Sequence, residues 1–418
     1  MTIERAQRTT VTVRLLGRPT AARWRRKLIA EGLAIPASGT CTAALGDISG
    51  SQDPDAAITA LRRQAGIEPL VVVQGMGDPL PSEPHQDIVF MRAEPEHGAA
   101  VTRAIKNVTL ERYLARAAAV RLQAMTSIGH SYPAVRSEGE GSPAAMLTEP
   151  HPGVLSILSQ TGWRDLVAPL SSGQTLRLLE NNHAGALVIH LANGREHRLP
   201  ILKLIRRQTE LRDLPVAVIA QQWTPETVQQ WTEAGADLLA WPEEIGGVLT
   251  FLRGAATRFR TRRALHAGLT AASISDDGKP SPIFGRDVFE RVVREHLELG
   301  DRMAYGAIKL AAEAHGSDHD LAEAGVYMSM ALSPLELVCR PQPNLFFVAM
   351  PYADRFFASR MMRTLQTLVE DLKFGDEPSP VLIAAKHQFL DGHDLAPSEA
   401  MERLGKMLAG TPQPAVTA

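Results

Sequence analysis

The chain has 418 residues, of which 44% are hydrophobic and 22% charged, with a formal net charge of −2. This length predicts roughly two to four domains, and the near-neutral charge argues against a general nucleic-acid or membrane-surface binder. No apolar run reaches the roughly 18 residues of a membrane span, so membrane insertion is not expected. Two cysteines, Cys41 and Cys339, lie far apart, which excludes a disulfide framework and favours a cytoplasmic protein.

The first predicted domain, residues 1–126, alternates strand and helix patterns. Short apolar runs predict strands, and the segments between them predict helices at residues 20–32 and 55–66. A long helical pattern from about Glu96 to Met125 ends the domain. Strands alternating with helices predict a parallel sheet covered by helices on both faces. The predicted strands are residues 11–17, 42–49, 69–75 and 87–93.

Residues 127–153 are predicted to be a linker, because they are rich in Gly, Ser, Pro and charge and show no periodicity. Residues 154–269 then repeat the α/β plan. Strands are predicted at residues 185–194 and 214–221, followed by a helix that Thr224 caps with Pro225 at its first position. A short strand, a proline turn and a long closing helix complete this second predicted domain.

Residues 277–410 form the third predicted domain, and residues 411–418 a disordered tail. The domain opens with SPIFGRDVFERVVREHL, whose first residue is Ser281. Near its middle, SPLELVCRPQPNLFFVAMP (residues 333–351) predicts a strand, a turn and a second strand.

These segments resemble two domain families of bacterial signalling. The run from LPVAVIAQ through EAGADLLAWPEEI resembles the end of a response-regulator receiver domain, and residues 333–351 resemble the catalytic strand–turn–strand of GGDEF-type diguanylate cyclases. The whole layout is similar to receiver–receiver–GGDEF response regulators of the PleD/PopA type. The resemblance implies an α/β protein: two flavodoxin-like, doubly wound receiver domains, then an α+β domain of the nucleotidyl-cyclase type.

The catalytic loop of the third domain lacks the residues that its chemistry needs. A nucleotide loop of this type needs glycines for close backbone approach and carboxylates to hold a divalent metal ion. Pro343 instead fixes the backbone and removes a donor. Phe346 closes the motif, and Arg340 stands before the loop. The residues in place of the glycines and acids are Gln342, Pro343, Asn344 and Leu345.

Two further positions depart from the family pattern. Lys309 and Ala311 stand where the first metal-binding acids belong, and Ser333 to Glu336 stand at the family's inhibitory R-x-x-D motif for cyclic di-GMP. We therefore expect no enzyme activity, no metal site, and neither magnesium nor GTP as a cofactor. Cyclic di-GMP stays open as a ligand.

The receiver-like domains lack most of a phosphorylation site as well. In the first domain Asp47 is the one candidate phosphoacceptor, no acidic pair follows the opening strand, and Arg92 is the cation nearest the lysine position. In the second domain, which we interpret as a pseudo-receiver, three positions are replaced. The replacements are His190 for the acceptor, Gln221 or Gln222 for Thr/Ser, and Trp241 for the lysine.

The leading hypothesis is a non-catalytic scaffold of cyclic di-GMP and two-component signalling. Resemblance implies homodimerisation through the receivers, docking of signalling proteins in phosphorelay or cell-cycle control, and recruitment to a cell pole by a partner. The alternative is an effector that binds cyclic di-GMP or GTP through a rebuilt site, with Arg340, Arg360 and Arg363 as contacts. A working diguanylate cyclase is the third hypothesis, which the loop disfavours.

Overall fold

The computed structural model divides into two compact units. One combines residues 10–112 with 136–264, and the other combines residues 1–9, 113–135 and 265–418. The predicted tail and most of the predicted linker lie outside the described residues. The structure describes residues 10–37, 41–83, 85, 87–129, 144–147, 171–181, 185–191, 198–208, 211–271, 281–312, 317–373, 381–391 and 395–409.

The first sheet has four parallel strands in chain order, with helices on both faces as predicted. Helices α1 (Arg18–Ala30) and α3 (Gly98–Ser127) cover one face, where Trp24 and Leu28 of α1 pack with Ile105 of α3. Helix α2 (Pro54–Ala65) covers the other face. The strands are β1 (Val13–Leu16), β2 (Ala43–Asp47), β3 (Leu70–Gln74) and β4 (Ile88–Arg92).

The order of this sheet is flavodoxin-like with the second strand reduced to one residue. A flavodoxin-like sheet has the order 2-1-3-4-5, so its second strand lies outside the first. Here Ala34 alone forms a parallel bridge to Thr12, and its backbone exchanges hydrogen bonds with Val11 and Val13. Pro36 follows two residues later. Because proline cannot donate to a sheet ladder, it is consistent with pairing that stops there.

The second sheet also has four parallel strands in chain order, and its first strand corrects the predicted linker. Residues 144–147 form β5 (Ala144–Leu147), which pairs with β6 (Ala186–Leu191), so the linker prediction is wrong for these residues. The other strands are β7 (Val216–Ala220) and β8 (Leu238–Ala240). The helices are α4 (Ser172–Glu180), α5 (Leu199–Arg207), α6 (Pro225–Ala234) and α7 (Ile245–Ala271).

Helix α7 lies between the first and second sheets. Its side chains Val248, Leu249 and Leu252 are buried in one hydrophobic cluster with residues of both sheets. The cluster includes Val72 of β3 and Val188 of β6. The described residues between β3 and β4 contain no helix, and α7 covers apolar surface that the other helices of the first sheet leave open. The two receiver-like sheets therefore share one core.

The third sheet is antiparallel, with the strand order β10-β11-β9-β12. Helices α8 (Arg286–Glu298) and α11 (Pro397–Ala409) pack on one face, and α9 (Asp318–Ala331) and α10 (Arg355–Asp371) on the other. The α/β fold class is thus confirmed. The strands are β9 (Met303–Ala312), β10 (Leu337–Gln342), β11 (Leu345–Pro351) and β12 (Ile383–Asp391).

The last turns of α3 belong to the core of this third domain. Val120, Ala124 and Met125 are buried with Phe284 and Phe289 of the domain. In the described part of the chain, no helix has the length and hydrophobicity needed to cross a membrane.

Candidate functional site

The segment interpreted as a vestigial catalytic loop forms a closed hairpin tip. β10 and β11 pair up to Gln342 and Leu345, so only Pro343 and Asn344 connect the strands. The Asn344 carbonyl accepts a hydrogen bond from the Leu310 amide of β9 at 2.9 Å. The tip therefore has no glycine and no carboxylate, and one of its two connecting residues lacks a backbone donor.

The side chain of Arg340 holds this tip closed. Its Nε donates to the Pro343 carbonyl at 2.9 Å, and Nη2 forms an ion pair with Asp318 at 2.5 Å. Its guanidinium carbon lies 5.5 Å from the centre of the Phe346 ring. These contacts engage Nε and Nη2 of the guanidinium, which argues against Arg340 as a ligand contact.

Phe346 anchors the hairpin to α9. The side chain is fully buried, and Gly325 of α9 faces its ring. A Cβ atom at Gly325 would lie only 2.3 Å from Cε1 of Phe346. The helix thus carries glycine here because the aromatic ring occupies the space of a side chain.

Arg360 and Arg363, the other predicted ligand contacts, lie on the solvent-exposed side of α10. Arg363 donates a long hydrogen bond of 3.4 Å to Ser359 Oγ, one turn earlier on the same helix. Among the described residues, neither arginine bonds to the hairpin. The structure therefore does not bring the three predicted arginines together.

An arginine that the sequence analysis missed occupies the turn at Ser333 to Glu336. Arg121 of α3 is buried, and its guanidinium donates to the carbonyls of Pro334 at 2.5 Å and Leu269 at 2.6 Å. The Glu336 carboxylate accepts from the Ser333 amide at 2.8 Å. The turn at Ser333 to Glu336 is thus held by contacts within the protein. The available sequence signal was one arginine within the apolar run AAAVRLQAM.

A buried polar network lies beside this segment, centred on Asp301. The carboxylate forms an ion pair with Arg116, with 2.6 Å between Nε and Oδ1, and it accepts hydrogen bonds from His296 Nδ1 at 2.8 Å and from Tyr352 Oη at 3.2 Å. Burial alone would raise the pKa of Asp301, but the bonds from His296 and Arg116 outweigh it and lower that pKa. Burial lowers the pKa of His296, although the hydrogen bond to Asp301 and the charge of Asp301 act to raise it. Because the ionised carboxylate can only accept, Nδ1 of His296 carries the proton of this bond.

Asp47, the candidate phosphoacceptor, lies at the end of β2 as predicted, but both of its oxygens are engaged. Oδ2 accepts from Trp24 Nε1 and Oδ1 from the Ser49 amide, each at 3.0 Å. Arg23 lies 3.8 Å from Oδ2 and forms a closer ion pair of 2.7 Å with Glu94. Among the described residues, no three His, Cys, Asp or Glu side chains converge to hold a metal ion.

Arg92 and Trp241, the residues interpreted as standing at the lysine position of a receiver, contact each other in this chain. Arg92 at the end of β4 is buried and forms a bidentate pair with Glu244, including an Nη1 to Oε2 distance of 2.7 Å. Its guanidinium carbon lies 5.5 Å from the centre of the Trp241 ring, and the Trp241 amide donates to Glu244 at 2.9 Å. Both positions thus serve to join the two receiver-like sheets.

The other substituted positions are dispersed. His190 is buried at the end of β6, and its carbonyl accepts from Arg198 at 2.9 Å, whereas Gln221 and Gln222 are exposed. Lys309 lies on β9, opposite Leu345 of β11 on one side and opposite Lys386 of β12 on the other.

No family model matches the chain, and no curated protein matches it. Similar solved structures include the active GGEEF domain of a diguanylate cyclase from Vibrio cholerae, at 12% identity and a TM-score of 0.24, over 28% of this chain and 80% of that one. They also include the N-terminal domain of a response regulator receiver protein from Methanoculleus marisnigri, at 16% identity and a TM-score of 0.20, over 23% of this chain and 82% of that one. The GGDEF domain of DgcB from Caulobacter crescentus in complex with c-di-GMP matches at 11% identity and a TM-score of 0.24, over 30% and 84%.

Proposed function

We propose that this protein is a non-catalytic adaptor of cyclic di-GMP and two-component signalling, which works by binding other proteins. The observation that carries the proposal is the closed hairpin tip, where Arg340 bonds to the Pro343 carbonyl, the nearby Asp318 carboxylate is paired with Arg340, and neither connecting residue is an acid. Phosphoryl transfer depends on metal ions and positioned donors around the phosphates, and this tip offers neither. The domain keeps the fold of its family as a binding surface.

The receiver-like domains support the same function. Asp47 is held by Trp24 and Ser49, and the Arg92–Glu244 pair fixes one sheet to the other. The adaptor is a homodimer in this proposal. Because α7 is already covered by both sheets, dimerisation has to use another receiver surface, and light scattering of the purified protein measures whether it occurs.

Turnover of GTP is the direct test. Purified full-length protein is incubated with GTP and Mg²⁺ or Mn²⁺, next to a diguanylate cyclase with an intact loop. We expect neither cyclic di-GMP nor pyrophosphate above the level of a no-enzyme blank. Formation of cyclic di-GMP would overturn the proposal.

A calorimetric titration with cyclic di-GMP separates the adaptor from the effector. We expect flat heats, because Arg121 holds the Ser333–Glu336 turn and Arg340 is engaged at the tip. Saturable binding would replace the proposal with the alternative of a second-messenger effector.

Phosphorylation of the first receiver-like domain is tested with acetyl phosphate, using Asp47→Asn as the control. We expect no labelling in either protein, since the acceptor oxygens are engaged and no metal site adjoins them in the described residues. Labelling that Asp47→Asn abolishes would show that this domain receives a signal.

A further inference from the structure

Two lysines face each other on neighbouring strands beside the hairpin tip. Lys309 of β9 and Lys386 of β12 are directly opposite in the antiparallel register, which places their Cβ atoms roughly 5 Å apart on one face of the sheet. Ala307, two residues before Lys309, is buried in the core under α8 and α11, so the lysines lie on that face. Two cations therefore stand side by side at the end of the sheet near Asn344.

This arrangement is unfavourable unless an anion joins it. Like charges directly opposite each other destabilise a sheet. Lys386 Nζ is buried and has no hydrogen-bond partner. Among the described residues, neither lysine forms an ion pair with a carboxylate. Because a buried ammonium without a partner is costly, such a group in a folded protein calls for a bound ion or water.

We propose that Lys309 and Lys386 form a binding site for a terminal phosphate or pyrophosphate group, which binds without a metal ion. Two lysines at directly opposite positions supply up to six donors and two positive charges, which match the oxygens and charge of a phosphate or pyrophosphate. Lys309 is exposed and gives access from solvent, while Lys386 lies deeper. The lysine ammonium groups bind the anion themselves, with no metal ion between them. It shares with the proposed function only the premise that the hairpin tip performs no metal-dependent chemistry.

The test is a calorimetric titration of full-length protein with pyrophosphate in metal-free buffer, with sodium chloride at matched ionic strength as the blank. We expect saturable binding to the wild type. Lys309→Gln, an exposed substitution, should weaken it roughly tenfold or more through loss of a charge-assisted contact. Lys203→Gln on α5, an exposed lysine of the other unit, should leave the affinity unchanged.

Lys386→Met provides a signature that a merely structural lysine would not give. Without ligand, the variant should melt at the same temperature as the wild type or higher, because a buried unpartnered charge and a like-charge pair are removed together. With pyrophosphate, the ligand-dependent rise in melting temperature should disappear. Absence of that rise in the wild type, or its persistence in Lys386→Met, would overturn the site.

Titrations with GTP and guanosine identify the part of a ligand that is recognised. A phosphoryl site binds pyrophosphate and GTP but not guanosine, and Lys309→Gln weakens both. Binding of guanosine, or binding of GTP that survives Lys309→Gln, would contradict the proposal. Failure of the titrations leaves the adaptor function intact, whereas turnover of GTP would overturn the adaptor function and not the lysine site.

Discussion

At the residue scale, replacing glycine by alanine should change the stability in opposite directions at two helical glycines of the third domain. Gly325→Ala places a Cβ 2.3 Å from the buried Phe346 ring, which cannot yield like the end of a flexible chain. Gly405→Ala in α11 meets nothing within 4 Å. We expect Gly325→Ala to destabilise the protein by about 1–3 kcal/mol and Gly405→Ala to stabilise it by up to about 1 kcal/mol. Urea unfolding of both variants measures the difference.

Equal effects in the two variants would contradict this account. If Gly325→Ala also stabilised the protein, Phe346 would not be the anchor of the hairpin, and the closed tip would lose one of its supports.

The His296–Asp301 pair predicts a pH dependence of stability. Burial lowers the pKa of His296 below its ordinary value of 6.5, so on acidification the unfolded chain takes up this proton before the folded one. Stability should fall as the pH drops below 6.5, by at most about 1.4 kcal/mol per pH unit from this group. The lowered pKa of Asp301 adds a second loss as the pH falls below its ordinary value of 3.8. Arg116, Arg121 and Tyr352 also face the pair, and none of them titrates in this range.

The check compares chemical unfolding at several pH values in wild type, His296→Gln and His319→Gln. The decline between about pH 7 and pH 5 should shrink in His296→Gln and persist in His319→Gln, which alters an exposed histidine of α9. A parallel decline in wild type and His296→Gln would assign the pH dependence to other groups.

Single residues were predictable where a local pattern determines them. Thr224 caps its helix and accepts from the Thr227 amide, as the Thr-Pro start indicated. Arg92, Arg121 and Lys386 could not be interpreted this way, because their roles depend on partners distant in sequence. Arg121, for example, bonds to a carbonyl 213 residues away. In a single sequence, such residues are visible only as charged residues within or beside apolar runs.

At the element scale, the Arg92–Glu244 pair should couple β4 to the turn after β8. Either Arg92→Met or Glu244→Gln alone leaves a charge without its partner at a site where Arg92 is fully buried. We expect each single variant to lose about 3–5 kcal/mol of stability, and the double variant to lose clearly less than the sum. Urea unfolding of the four proteins gives the coupling free energy.

The matched control is an exposed pair on α11, Glu399 with Arg403, four residues apart on the helix surface. Arg403→Gln should cost no more than about 0.5 kcal/mol. If Arg92→Met cost as little as this control, the pair would not join the two sheets.

The positions of strands and helices in the sequence were predicted from periodicity more accurately than their spatial arrangement was. The predicted strands at residues 69–75 and 87–93 correspond to β3 and β4 because buried parallel strands are continuous apolar runs. β5 was missed because it is only four residues long and lies among turn-forming residues. The flavodoxin-like strand position outside β1 is occupied by Ala34 alone. A single paired residue has no periodicity that could be detected in the sequence.

At the scale of the whole molecule, the shared core around α7 predicts how the sheets respond to one change. Leu252 of α7 is fully buried in the cluster that contains side chains of both receiver-like sheets. Leu252→Ala should therefore lose about 2–5 kcal/mol, and the loss should appear in both sheets together. Native-state hydrogen exchange reads this directly: amides of β2 to β4 and of β6 to β8 should exchange faster to a similar degree.

Leu404→Ala is the control for the third domain, since Leu404 of α11 is equally buried, but in the cluster under the third sheet. It should accelerate exchange in β9 to β12 and leave the strands of the other unit at their wild-type rates. A response of Leu252→Ala confined to β6 to β8 would mean that the first sheet opens independently of α7. In that case the two receiver-like domains could move separately and transmit a signal between them, whereas a joint response makes them a single rigid platform for partners.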